Sequence, residues 1–189
     1  MLDAVEVASV SPHDESRSPS GSLSWQEAVA FLDTIPGINA RAAQGILAEI
    51  GIDMTRFPSA GHLASWAGVC PGNHESAGKR LSGKARKGNP WLRQLLVEAA
   101  HAAARTKNTS FASQYYRLAA RRSAKKALIA VAHTLLVIMY HLLLRRDPYR
   151  DLGSTHFDDL ARLSLENRLV HRLEQLGFSV SLAPVTPAA

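Results

Sequence analysis

The run ALIAVAHTLLVIMYHLLL, residues 127–144, holds 18 residues without a formal charge. Few structures accept such a run. It reaches the lower length limit for a bilayer-spanning helix. Otherwise it is the central helix of a globular core, because a helix apolar on all sides finds its partners in protein or in lipid. Lys125 and Lys126 precede it and Arg145 and Arg146 follow it, so basic flanks give no orientation in a membrane. Leu128, Val131, Leu135, Ile138, Met139 and Leu142 recur at helical spacing. It is a single such segment in a basic chain, which favours the core helix and leaves a single-span membrane protein as the rival. His133 and His141 lie within it and read as core histidines rather than metal ligands.

Helical periodicity covers most of the remaining chain. Ser24 stands at an N-cap position with Glu27 at the capping-box offset, and Trp25, Ala28, Val29 and Leu32 form one apolar face. A second helix is predicted from Asn39 to Ile50, with Ala43, Ile46, Leu47 and Ile50 inward and Gly51 as its stop. A third runs from Ser59 to Ala67. Asn89 and Pro90 read as N-cap and first helical residue, ahead of a stripe of Leu92, Leu95, Leu96, Ala99 and Ala103. Ser110 is read as the cap of the next helix, with Phe111, Tyr115 and Leu118 inward and Arg117, Arg121 and Arg122 outward. A last amphipathic helix spans 157–176, with Leu165, Leu169, Leu173 and Leu176 on one face. Residues 178–182 alternate and allow a short strand, which would need a partner. The three tryptophans, Trp25, Trp66 and Trp91, read as mostly core, with stacking on a base the alternative for Trp91.

The predicted class is all-α. A helix-hairpin-helix-like part at 24–51 precedes a long basic loop at 69–88 and helices across 89–146. Residues 1–23, rich in Ser, Pro and acids, are expected to form a disordered tail. Residues 24–151 form the main domain and 152–189 a C-terminal helix and tail.

Charge is distributed unevenly. From Ser76 to Arg146 there are 15 Lys and Arg and one acid, Glu98, a balance of +14, whereas the rest of the chain sums to −8. A basic middle between acidic ends is the footprint of a polyanion-binding surface, the plainer reading being solvated helix faces. One cysteine, Cys70, excludes a disulfide framework and a multi-Cys zinc site and fits a reducing compartment. Residues 1–12 carry Asp3 and Glu6 and no basic-then-apolar leader. A cytoplasmic protein without a membrane partner is expected, and no metal site within the chain.

Two stretches could carry chemistry. Ile35-Pro36-Gly37-Ile38-Asn39 resembles the turn of a helix-hairpin-helix, whose backbone N–H groups suit a phosphate; Pro36, Gly37 and Ile38 are the candidate contacts. Asn39 replaces the motif's second glycine and tolerates the left-handed region. The alternative is an ordinary helix connection. The second stretch is the basic loop, where serines stand among glycines and cations. A serine hydroxyl is a weak nucleophile that needs activation, and Lys79, Arg80, Lys84, Arg86 and Lys87 could neutralise a five-coordinate phosphate. Asn89 and Arg93 would anchor the loop to the following helix. A phosphate-gripping loop without bond making is the alternative. His74 is a weak candidate base for Ser76, and Cys70 reads as a small buried thiol.

The runs IPGIN…RAAQGILAEIG, RFPSAGHLASWAGVCPGN and ESAGKRLSGKARKGNPWLRQLLVEAA together resemble the C-terminal transposase domain of the insertion-sequence transposases named IS-one-ten (IS-one-sixteen/IS-nine-oh-two). The resemblance covers about residues 24–151. It implies a DNA recombinase that moves its own element, in which an RNase-H-like N-terminal domain binds Mg²⁺ and works with a serine of this domain. It also implies DNA and a guide RNA as partners, and a homo-oligomer or the full-length transposase as the assembly. The family serine falls on Ser76, followed by Ala77 where many relatives carry Gly; Ser82 is the competing serine. Only 23 residues precede Ser24, so the RNase-H-like domain is expected to be absent from this chain and the chain to be a truncated copy, inactive alone. Transposition by serine attack on a DNA phosphodiester is the expected function, and a non-catalytic helix-hairpin-helix DNA-binding module the alternative.

Overall fold

A computed structural model describes residues 23–71, 74–82 and 87–182. The expected tail at 1–22 and the candidate contacts Lys84 and Arg86 lie outside these residues. The described residues hold seven α-helices: α1 (Trp25–Asp33), α2 (Ala40–Ile50), α3 (Ala60–Trp66), α4 (Pro90–Arg105), α5 (Ser110–Arg121), α6 (Ala124–Arg145) and α7 (His156–Gln175). A 3₁₀ turn, Met54–Arg56, separates α2 from α3, and two short strands, β1 (His74–Ser76) and β2 (Lys79–Ser82), separate α3 from α4. The class is all-α with one small hairpin.

The uncharged run is the core helix. α6 packs against α1, α3, α4, α5 and the 3₁₀ turn, and Val131, Ala132, Leu135, Leu136 and Met139 are wholly buried. By length and composition it could cross a membrane, but helices of the same fold bury one whole side of it, from Ala127 to Leu143. Tyr140 Oη donates to the Phe57 carbonyl at 3.1 Å, which fixes the 3₁₀ turn onto α6. Gln114 of α5 donates to Thr134 Oγ1 at 2.9 Å, a polar bond across the buried α5–α6 seam.

Local sequence sets the helix starts. Ser24 and Glu27 form a reciprocal capping box, with Ser24 N–H donating to Glu27 at 2.9 Å. Ser24 Oγ also donates to Glu27 Oε2 at 2.7 Å, and this bond and the one from Ser24 N–H hold the Glu27 carboxyl below its ordinary value. Ser59 caps α3 through His62 N–H. Asn39 is extended at φ −105° and caps α2 through Ala42 N–H at 2.8 Å. Its use is therefore capping, and the left-handed conformation expected for it does not occur. Thr109, not Ser110, caps α5. Ser110 is the first helical residue, and its N–H donates to Asp151 Oδ1 at 3.0 Å. Asp151 also accepts from Tyr149 Oη at 2.9 Å and from Gly153 N–H at 2.7 Å, while Tyr149 N–H donates to Thr34. The segment after α6 is thus latched to the ends of α1 and α5.

The chain divides into two compact units, Met1–Ser154 and Thr155–Ala189. In the second, α7 buries none of its described side chains. Leu165, Leu169, Leu173 and Leu176, expected to pack inward, are all exposed, because no other described element forms a second layer in that unit. Residues 178–182 form no strand; nothing pairs with them.

Candidate nucleic-acid interface

Residues 69–88, expected as an irregular loop, contain an antiparallel hairpin. Ala77 and Gly78 adopt φ values of 50° and 73°, the paired positive values of the tight two-residue turn that matches strand twist. The register pairs Ser76 with Lys79 and Glu75 with Arg80, and slips by one residue at His74↔Ser82. Ser76 is therefore the last strand residue before the tip, and it is exposed. Directly opposed residues share a face, with Cβ atoms about 5 Å apart, so the Ser76 and Lys79 side chains leave the hairpin on the same face. Among the described residues the strands touch each other and no helix, leaving the tip accessible.

Both roots of this arm are fixed to the core. At the first, Gly68 N–H and Val69 N–H donate to the Ser65 and Ala64 carbonyls at 3.1 Å, and Val69 is buried. Cys70 follows, half-buried, and burial pushes its thiol up, which makes it a poor nucleophile. At the second root, Gly88 lies flat on the end of α3: a Cβ there would meet the Ala67 carbonyl carbon and the Gly68 nitrogen at 2.3 Å. Asn89 caps α4 through Trp91 N–H and Leu92 N–H at 3.0 and 3.2 Å. Its Nδ2 also donates to Glu49 of α2 at 2.6 Å. The anchoring role expected of Asn89 has this concrete form. Arg93, half-buried one turn on, adds only its N–H to the Asn89 carbonyl among the hydrogen bonds shown. Lys87 is exposed at the root.

The hairpin-like turn at 35–39 is used differently from the expectation. Gly37 has φ +90°, and a Cβ on it would meet Ala103 N at 2.4 Å and Ala99 O at 2.8 Å. The close approach that this glycine permits is to α4, not to a nucleic acid. Ile38 is buried at 5% exposure, and its N–H is bonded to Ile35 O at 3.0 Å. Pro36 is half-buried. One side of Gly37 is therefore taken up by α4, and the Ile38 side chain belongs to the core.

Two features go beyond the sequence reading. The tryptophans are not core: Trp25 and Trp66 are 43% exposed and Trp91 is 70% exposed. Trp66 leans on Phe57 with centroids 5.9 Å apart, whereas Trp91 occupies the first turn of α4 beside the arm root. The second is that Arg121 and Arg122, expected outward, join Lys125 and Lys126 in one exposed basic patch at the α5–α6 corner. The charge count could have found it, since it holds four of the cations in the basic middle.

His133 and His141 are half-buried on α6, and burial holds both imidazoles below the ordinary value. Neutral, partly buried rings fit a packing role. Among the described residues no group of three or more His, Cys, Asp or Glu is gathered to hold a cation, so these residues do not fit the Mg²⁺ that the resemblance implies.

Residues 29–117 match the family described as Transposase IS116/IS110/IS902. The chain is 32% identical over 123 residues to the transposase for insertion sequence element IS1111A of Coxiella burnetii, covering 63% of this chain and 34% of that protein. It is 32% identical over 123 residues to a pilin gene-inverting protein of Moraxella bovis, covering 64% and 38%. An uncharacterized protein of insertion element IS110 in Streptomyces coelicolor is 32% identical over 115 residues, covering 59% and 28%. The chain spans about a third of the length of these relatives.

Proposed function

Since residues 29–117 form a domain of the Transposase IS116/IS110/IS902 family, we propose that the chain binds DNA through its basic arm and presents Ser76 as the nucleophile of strand exchange. The observation that carries this is the position of Ser76, exposed at the tip of a root-anchored hairpin with Lys79 as its register partner. In the step proposed, Ser76 Oγ attacks the phosphorus of a DNA phosphodiester. The Oγ–P bond forms and one P–O(deoxyribose) bond breaks. The serine proton passes to an acceptor, and the departing oxygen takes up a proton. Lys79 stabilises the charge that gathers on the five-coordinate phosphate. The serine needs activation, and this reading assigns the acceptor to a separate carboxylate-bearing, Mg²⁺-holding domain, with a guide RNA choosing the DNA.

Lys79, Arg80 and Lys87, with Lys84 and Arg86 between them in sequence, supply phosphate contacts of the arm. If about five phosphates are neutralised, log K falls against log salt with a slope of about −4 to −5. The test is adduct trapping on a nicked DNA substrate with a full-length family transposase's N-terminal domain and guide RNA supplied in trans. Ser76→Ala abolishes the covalent protein–DNA species and leaves DNA affinity within about twofold, because one hydroxyl adds little beside many phosphate contacts. Adducts that survive Ser76→Ala and vanish in Ser82→Ala would move the nucleophile to Ser82. A salt-independent affinity would remove the electrostatic basis of binding.

A further inference from the structure

A tryptophan normally contributes to a protein by burying its ring, and Trp91 does not. It is 70% exposed, the most exposed large hydrophobic side chain among the described residues. Its backbone is nevertheless among the most firmly held. Trp91 N–H is bonded to Asn89 Oδ1 at 3.0 Å, Asn89 is tied to Glu49 at 2.6 Å, and Gly88 rests on the end of α3. An indole is thus mounted on a rigid helical turn four residues after Lys87, at the root of the basic arm. The nearby acid, Glu49, is already engaged by Asn89.

We propose that Trp91 is the stacking platform for one unpaired base of the nucleic acid that the arm holds, an inference that rests on the DNA-binding reading above. Bases inside a duplex present their faces to each other and have none free for an indole. A base freed during strand exchange does, and every base has a face to offer, so the contact is indifferent to sequence. Lysines and arginines of the arm hold the strand by its phosphates, and Trp91 holds the displaced base. This gives the domain a preference for strands with unpaired positions that cations alone would not supply. A second copy of the chain seated on the indole is the competing occupant, but a surface this basic repels its own copy.

The test measures affinity of the full chain for a fluorescent oligothymidine and for a duplex of equal length. Trp91→Ala lowers oligothymidine affinity about tenfold, the size of one lost base stack, and changes duplex affinity by less than about twofold. Trp91→Phe recovers most of the loss, and the salt slope is unchanged because no charge is removed. Equal losses on both nucleic acids, or no loss on either, overturn the proposal. So does a Trp91→Ala chain whose mass by light scattering falls from a dimer to a monomer, which would make the indole a protein contact. A wild-type chain that binds neither probe overturns the DNA-binding reading itself. Binding to duplex with no advantage from Trp91 overturns only the stacking platform.

Discussion

Replacing Gly37 by alanine adds one methyl group at the tightest place in the fold. Its Cβ would stand 2.4 Å from Ala103 N, 2.8 Å from Ala103 Cα and 2.8 Å from Ala99 O. All three are backbone atoms of α4, so no side chain can swing aside; the helix itself must move. Two costs follow. An L-residue at φ +90° carries backbone strain of about 1–2 kcal/mol. Displacing α4 from the α1–α2 turn and from α2 adds about 1–3 kcal/mol of overpacking. The expected loss is about 3–4 kcal/mol, a large share of the stability of an ordinary domain. Gly51→Ala is the control: φ is +76°, but its Cβ would meet only Arg56 Nη1 at 3.6 Å, so it bears the backbone cost alone. Urea unfolding followed by circular dichroism compares the two. Gly37→Ala should unfold at clearly lower urea than Gly51→Ala. Equal midpoints would show that α4 does not press on Gly37 and would return this turn to solvent, where a nucleic acid could use it.

Two further outcomes are expected. Asn89→Ala removes an N-cap and leaves the half-buried Glu49 carboxylate without its partner, a loss of about 2–3 kcal/mol; Asn89→Asp keeps the cap but sets two carboxylates together, so it should not restore wild-type stability in the same urea assay. His133 and His141 favour the neutral form in the folded chain because burial lowers both. Their contribution is complete above the ordinary histidine value and is lost as pH falls through the lowered folded values, so the wild-type midpoint should drop from about pH 7.5 to about pH 5 by more than that of a His133→Gln/His141→Gln double variant.

Helix starts were legible because capping is local: Ser24 with Glu27, Asn39, Ser59 and Asn89 each satisfy an amide within three residues. The core helix was legible because an uncharged run of that length leaves few alternatives. The hairpin was not. HESAGKRLS has one aliphatic residue beyond alanine, Leu81, so no two-residue alternation marks its strands, and Ala-Gly is not the usual sequence of such a turn. Ala77 takes a positive φ, a conformation that glycine would adopt without strain. The role of Gly37 was out of reach for a different reason: the backbone that crowds it lies more than 60 residues away along the chain. The tryptophans failed because large apolar side chains are assigned inward by default, and no local pattern reports that Trp91 opens onto solvent.

Because Gly68 and Gly88 meet at the end of α3, the arm begins and ends at one point of the core. The helical unit is in this respect a chassis with a socket. What is plugged between those two glycines can lengthen, shorten or change its chemistry while the helices keep their packing, since doubling the length of a closed loop costs only about 0.6 kcal/mol. Selection on what the arm touches is thereby separated from selection on whether the domain folds.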